Sequence, residues 1–189
     1  MTNFPIHTVD SAPEGSRPVL EGVQKGMGSI PNLFGVFASS PAILKAYLNL
    51  AELQDKDTAF DETERQLLFL TVSTTNDCEY CVAAHTTIAS MKGVPSDVSQ
   101  AIRDDSALPS PKLEALRTFA RTVVEKRGWV SAEDLSAFQA AGYEQRHVLE
   151  VILAVAFKTI SNFTNHVAET PLDAAFAPNA WSRGAAAGA

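Results

Sequence analysis

The sequence predicts an all-α domain, and three observations carry that reading. No segment alternates apolar and polar residues with period two. Apolar residues instead recur three and four apart along segment after segment. Helix start signals also punctuate the chain at Ser40-Pro41, Asp61 with Glu64, Ser110-Pro111 and Ser131 with Asp134. With 189 residues, 46% of them apolar and 20% charged, the chain suits one well-buried domain rather than two.

Taken in order, residues 1–16 hold Pro5, Pro13 and Gly15 and read as an irregular arm ahead of a single domain at 17–176. A helix is expected from Pro18 to about Lys25, ended by Gly26 and Gly28. Pro31 with Asn32 starts a short helix. Ser40 and Pro41 supply the N-cap and first position of a longer one reaching about Asp55, with Ile43, Leu44, Tyr47, Leu48, Leu50 and Ala51 at helical spacing. Asp61 and Glu64 form a capping-box pattern that opens Arg65–Ser73. The β-branched end of that segment also suits a buried strand, but the cap and the length favour a helix. Thr75-Asn76-Asp77 breaks it, and Asp77 stands where an N-cap belongs for a helix from Cys78 to about Lys92, stopped by Gly93 and Pro95. Ser96 caps a helix to about Asp104. Ser110-Pro111 starts one ending near Arg127-Gly128, and Ser131 with Asp134 caps one ending at Gly142. The last helix runs from Gln145 to Ala168, closed by Pro171. Residues 177–189, rich in Gly and Ala, are expected to be a disordered tail. Phe34, Phe37, Phe60, Phe69 and Phe157 are expected in the core.

A shift of 84 residues lays Gln66–Leu70 on Glu150–Ala154, and Cys78 and Cys81 on Asn162 and Asn165. This echo reads either as two buried helices matching by chance or as a duplicated helical hairpin whose first copy alone kept its thiols.

The formal net charge of -7 and the lack of any Lys/Arg run argue against nucleic acid and anionic membrane as partners. The N-terminus has neither the basic start nor the apolar core of a signal peptide, and no uncharged apolar run approaches the ~20 residues of a membrane span. A cytoplasmic location is expected. In a reducing compartment, two cysteines three apart are redox-active, redox-sensing or metal-binding rather than a staple, because so short a loop constrains the unfolded chain little.

Both cysteines lie in Cys78-Glu79-Tyr80-Cys81-Val82-Ala83-Ala84-His85. On a helix each residue advances about 100°, so Cys78 and His85 fall within about 20° of one another, with Cys81 on the same flank. This is the arrangement of a redox dithiol, whose two thiols can close to a disulfide. His85 is positioned as a base beside them. Local arguments split on the attacking sulfur: Cys78 has the helix N-terminus, Cys81 has His85 one turn away. Zinc is the competing chemistry, with a fourth ligand needed from His166, His147 or Asp77. Two buried cysteines acting as small hydrophobes are the plainest alternative.

The segment Glu64-Arg65-Gln66-Leu67, followed by Cys78-x-x-Cys81-x-x-x-His85, resembles the alkyl hydroperoxidase D (AhpD)-like branch of the carboxymuconolactone decarboxylase superfamily. Gly28–Phe34, Ser40–Leu44 and Asn162–Asn165 are similar to its longer, peroxidase-related members. The resemblance implies an all-helical, homo-oligomeric thiol peroxidase or disulfide reductase without haem, flavin or metal, reduced by a protein or lipoyl-type dithiol. By the same resemblance Cys81 matches the peroxidatic cysteine, Cys78 the resolving one and His85 the family histidine. Gln66 stands where the family has a relay glutamate, and an amide takes up no proton at working pH. A weaker His85 base and an optimum above neutral pH are then expected, with Glu79 and Glu150 as the next carboxylates able to complete a relay. Carboxymuconolactone decarboxylase itself lacks the dithiol, so the chain resembles it less. The apolar segments 148–157 and 30–37 agree with a dimer, trimer or hexamer. A non-catalytic redox sensor or scaffold is the alternative of a different class.

Overall fold

At Asp61 and Ser131 a side-chain oxygen accepts from a free N–H group of the helix that follows. In the computed structural model, which describes residues 4–184, nine α-helices and one 3-10 turn form and no strand is found among those residues. The first two are α1 (Arg17–Met27) and α2 (Asn32–Phe37). Ser40 is extended ahead of Pro41 and α3 (Pro41–Lys56) follows. The Asp61 carboxylate accepts from the Glu64 N–H while the Glu64 carboxylate accepts from the Asp61 N–H, and this reciprocal box opens α4 (Glu62–Thr75). The β-branched end of α4 is helical. Its hydroxyls bond back along the helix, Ser73 Oγ to Phe69 O and Thr75 Oγ1 to Thr71 O, both at 2.7 Å.

The next helix starts one residue later than the sequence suggests. Cys78 (φ -94°, ψ 92°) is itself the N-cap of α5 (Glu79–Met91), and Asp77 occupies the left-handed turn at φ 60°. Short acidic side chains tolerate that conformation, so Asp77 makes the turn instead of the cap. Likewise Pro95, not Ser96, is the N-cap of α6 (Ser96–Arg103). Then come α7 (Pro111–Glu125), α8 (Ala132–Ala140) with its Ser131–Asp134 capping box, and α9 (Gln145–Ala168).

Helix α4 is the centre. Every residue from Gln66 to Thr74 is buried, because α5, α6, α7 and α9 surround it. A helix that is covered on all sides carries no polar stripe. The expected core phenylalanines Phe34, Phe37, Phe60, Phe69 and Phe157 are all buried. Tyr47 on α3 stacks on Phe157 of α9 at 4.5 Å, and Phe69 meets Phe157 edge-on at 5.2 Å.

The duplicated-hairpin reading fails on α9. Positions 66–81 span a helix, a turn and a second helix, whereas 150–165 lie within one unbroken helix. Asn162 and Asn165 are contact partners of the α4–α5 hairpin, not counterparts of its cysteines: the Asn76 amide donates to Asn162 Oδ1 at 3.0 Å. α9 is 24 residues long, and an 18-residue window of it reaches a mean hydropathy of 1.2, enough by length and composition for a membrane span, but buried Lys158 interrupts it and 33% of that window is packed inside the bundle.

The arm from residue 4 is irregular yet tied down. The His7 N–H donates to Gly35 O at 3.1 Å, and a Cβ at Gly35 would come within 2.7 Å of Ile6 Cγ2. At the other end, residues 177–184 are packed rather than loose. Trp181 Nε1 donates to Arg103 O at 3.0 Å, Arg103 donates to the carbonyls of Asn179 and Ala180, and Arg183 pairs with Asp77 at 3.0 Å. Residues 1–3 of the arm and 185–189 of the expected tail lie outside the described residues.

Candidate active site

The α4–α5 hairpin turns at Asn76-Asp77 and brings its two helices antiparallel. Ten residues before the turn is Gln66 and eight after it is His85, each advancing 1.5 Å per residue, so they lie nearly level. Their side chains meet: His85 Nδ1 and Gln66 Oε1 are 2.9 Å apart. A carbonyl oxygen only accepts, so the ring hydrogen is on Nδ1 and Nε2 carries the lone pair. The amide is itself oriented by Glu62, whose Oε1 accepts from Gln66 Nε2 at 2.9 Å. Glu62 also accepts from Arg65 at 2.6 Å and Lys92 at 3.3 Å. Burial raises the Glu62 carboxyl, but Gln66, Arg65 and Lys92 outweigh it and hold the group below its usual range.

Against the hairpin lies the polar stripe of α9: Lys158, Ser161, Asn162 and Asn165, spaced three, four and seven apart and all buried. Asn165 Nδ2 sits 3.3 Å from Cys81 Sγ and 3.8 Å from Cys78 Sγ, so one amide spans both sulfurs. Cys81 Sγ is 3.6 Å from Ser161 Oγ, whose hydroxyl is also 3.0 Å from Lys158 O. Asn162 Nδ2 donates to Ser73 Oγ at 3.3 Å and locks α9 to α4. Both cysteines are free thiols, only 1% and 2% exposed.

Lys158 is the residue the sequence reading missed. It is 1% exposed, and its Nζ is 2.8 Å from His85 Nε2, donating to that lone pair. The only signal was a lone cation interrupting an apolar run in the last helix, which local periodicity reads as a surface residue. Both His85 nitrogens are therefore occupied, Nδ1 by Gln66 and Nε2 by Lys158, and no hydrogen bond joins the ring to either sulfur among the described residues. The hydrogen-bonded chain runs Glu62, Gln66, His85, Lys158, and the two sulfurs lie outside it.

The electrostatics separate the two thiols. Burial pushes Cys81 up, but Cys78 beside it, the Lys158 charge and the Ser161 hydroxyl outweigh it and hold Cys81 well below the usual thiol range. Cys78 is pushed far up, first by Cys81 beside it and then by burial. His85 is driven well down by burial and by Lys158, so it is a neutral imidazole. Burial lowers Lys158, but the Cys81 charge opposes it and the group lies above its usual range.

The remaining candidates have structural jobs. Tyr80 donates from its hydroxyl to the Asp173 carboxylate and accepts from the Leu33 N–H at 3.3 Å, tying α5 to α2 and to the segment after α9. His147 accepts from the Glu144 N–H at 2.9 Å and caps α9. Glu150 accepts from the Ala59 N–H at 2.9 Å and from Arg146, and Glu79 is exposed. Neither joins that hydrogen-bonded chain, whose carboxylate is Glu62. Among the described residues no three His, Cys, Asp or Glu side chains converge as a metal site would require.

Residues 41–121 match the model of the Carboxymuconolactone decarboxylase family. Three solved structures share the fold. An AhpD-core, uncharacterized peroxidase-related protein from Ralstonia eutropha JMP134 is 25% identical, with 92% of this chain and 93% of that one covered at a TM-score of 0.81. A peroxidase-related protein from Silicibacter sp. TM1040 is 16% identical over 92% and 91%, with a TM-score of 0.77. A cysteine-to-alanine variant of the debrominase Bmp8, in complex with 2,3,4-tribromopyrrole, is 17% identical over 95% of each chain, with a TM-score of 0.78. No curated protein matches the chain in sequence.

Proposed function

We propose that this chain, whose residues 41–121 match the Carboxymuconolactone decarboxylase family, is an AhpD-like thiol-dependent peroxidase that reduces alkyl or hydrogen peroxide through a Cys78/Cys81 dithiol–disulfide cycle. One observation carries the reading. The two sulfurs share the Asn165 amide at 3.3 and 3.8 Å, and their surroundings push Cys81 below and Cys78 above the usual thiol range. That is the order a peroxidatic thiolate and a resolving thiol require. Cys81 attacks the peroxide in line, alcohol or water leaves, and Cys78 closes the disulfide on the resulting sulfenic acid. A protein or lipoyl-type dithiol then returns both thiols by exchange. His85 holds its neighbours in register through its fixed tautomer.

The steady-state test is peroxide consumption with dithiothreitol or a dihydrolipoyl donor. Many turnovers per chain, abolished by Cys81→Ser, are expected. A single stoichiometric oxidation with no turnover would make the protein a redox sensor instead.

A further inference from the structure

We propose that Asn165 sets the redox balance of the dithiol: its amide donates to both sulfurs of the reduced pair, loses the strength of those bonds when the disulfide forms, and so makes the disulfide easier to reduce. This takes the dithiol cycle of the proposed function as its premise, and the two fail by different results.

The backbone fixes where this amide stands. Asn165 lies in the last turn of α9, and its carbonyl accepts from the N–H of Thr170 at 3.2 Å and from that of Glu169, whose left-handed turn at φ 48° closes the helix. The side chain is 5% exposed and faces the start of α5. Its Nδ2 reaches Cys81 Sγ at 3.3 Å and Cys78 Sγ at 3.8 Å. An amide NH₂ carries two hydrogens, so it can serve both sulfurs at once. The neighbouring groups do less. Ser161 Oγ, 3.6 Å from Cys81 Sγ, has Lys158 O at 3.0 Å for its own hydrogen, and the Cys78 side chain makes no cap bond to α5. At the other end of the amide, Oδ1 is buried and has no hydrogen-bond partner among the described residues. The sulfurs are therefore what holds this side chain, and its bonding follows their chemistry.

How well a sulfur accepts depends on its redox state. A thiolate takes a charge-assisted bond, whereas an uncharged sulfur is a weak acceptor. Reduction by an external dithiol breaks the S–S bond with uptake of two electrons and one proton. It leaves one thiol and one thiolate, the state from which attack on a peroxide starts. The external dithiol becomes its own disulfide, and its second proton goes to solvent. Whichever sulfur carries the charge, Nδ2 is in range of it. Oxidation removes the charge and leaves the same buried N–H groups facing weak acceptors, on an amide whose oxygen already lacks a donor. That loss falls on the oxidised state alone, so the equilibrium moves toward the dithiol. A disulfide whose reduced form is stabilised is the stronger oxidant, and an external dithiol recycles it more readily.

The test is the thiol–disulfide equilibrium of the full chain at pH 7 in buffers of reduced and oxidised dithiothreitol, read by thiol trapping and mass spectrometry. It compares wild type, Asn165→Leu and Ser73→Ala. Leucine keeps a branched side chain and removes the donor. Ser73 Oγ takes the Asn162 amide at 3.3 Å, so Ser73→Ala loosens α9 against α4 without removing a bond to either sulfur. In Asn165→Leu the equilibrium should move about tenfold toward the disulfide, a potential about 30 mV lower for a two-electron couple. Ser73→Ala should stay at the wild-type value. An unchanged equilibrium in folded Asn165→Leu overturns the proposal and leaves the dithiol cycle standing. An equal shift in Ser73→Ala overturns it too, because the effect is then one of packing. If Asn165→Leu does not fold, the wild-type protein decides by NMR. The Asn165 side-chain N–H signals should be protected from hydrogen exchange in the dithiol form and less so in the disulfide, and equal protection in both overturns the proposal. A wild-type protein that forms no disulfide in any buffer removes the cycle and the proposal together. An Asn165-dependent shift in a chain that turns over no peroxide supports the proposal and removes the peroxidase reading alone.

Discussion

At the scale of single residues, Gln66 and Lys158 explain one another. The resemblance leads one to expect a glutamate at position 66 and hence a charged, basic imidazole. Here the amide leaves His85 neutral, and the cation sits one side chain further on, at Lys158. Gln66→Glu, which the sequence alone would count as a gain, should be a loss. The new carboxylate faces Glu62, where Gln66 Nε2 now donates at 2.9 Å, and it draws a proton onto His85 beside Lys158. We expect turnover at pH 7 to fall about tenfold, the equivalent of roughly one pKa unit, with the rising limb of the pH–rate profile moved upward. A faster enzyme at pH 7 with a lowered limb would return the base to His85.

At the scale of elements, the helices were legible because their caps are local. Ser40-Pro41, Asp61 with Glu64, Ser131 with Asp134 and the whole of Gln145–Ala168 could be read from neighbouring residues alone. The start of α5 was misplaced by one residue because Asp77 is a good cap type, but the hairpin uses it in a left-handed turn pinned by Arg183, 106 residues away. Meeting of Gln66 and His85 followed from the hairpin's arithmetic. Lys158, Ser161 and Asn165 could not be placed in the site the same way, since only tertiary packing turns that face of α9 onto the cysteines. Because α4 is buried through Gln66–Thr74, its N-terminal box should matter to the whole domain. Asp61→Ala should cost about 1 kcal/mol, read as a lower urea midpoint at unchanged slope. An unaltered midpoint would mean that the core holds α4 without its cap.

At the scale of the whole molecule, the outer face of α9 is unusually apolar. Phe163 and Val167 are 54% and 63% exposed, and with Val36, Phe37 and Ile43 they line a groove of about 350 Å³. Leu149 and Ile152 extend the exposed face along the helix. We propose that this face joins copies of the chain. Light scattering should give a multiple of 20.3 kDa at micromolar concentration, and Phe163→Glu should lower it. With a net charge of -7 per chain, association should also tighten as salt screens repulsion. A monomer at all salt concentrations would contradict the proposal without touching the site.

The central claim is that the two buried thiols work as one redox pair, with Cys81 struck first. The most direct measurement is peptide mass spectrometry of the folded, reduced protein after one equivalent of peroxide, with a thiol-trapping quench, on wild type and Cys78→Ser. The account predicts a Cys78–Cys81 disulfide in wild type and a sulfenic acid on Cys81 in the variant. Two free thiols after treatment, or a sulfenic acid confined to residues outside the pair, would contradict it.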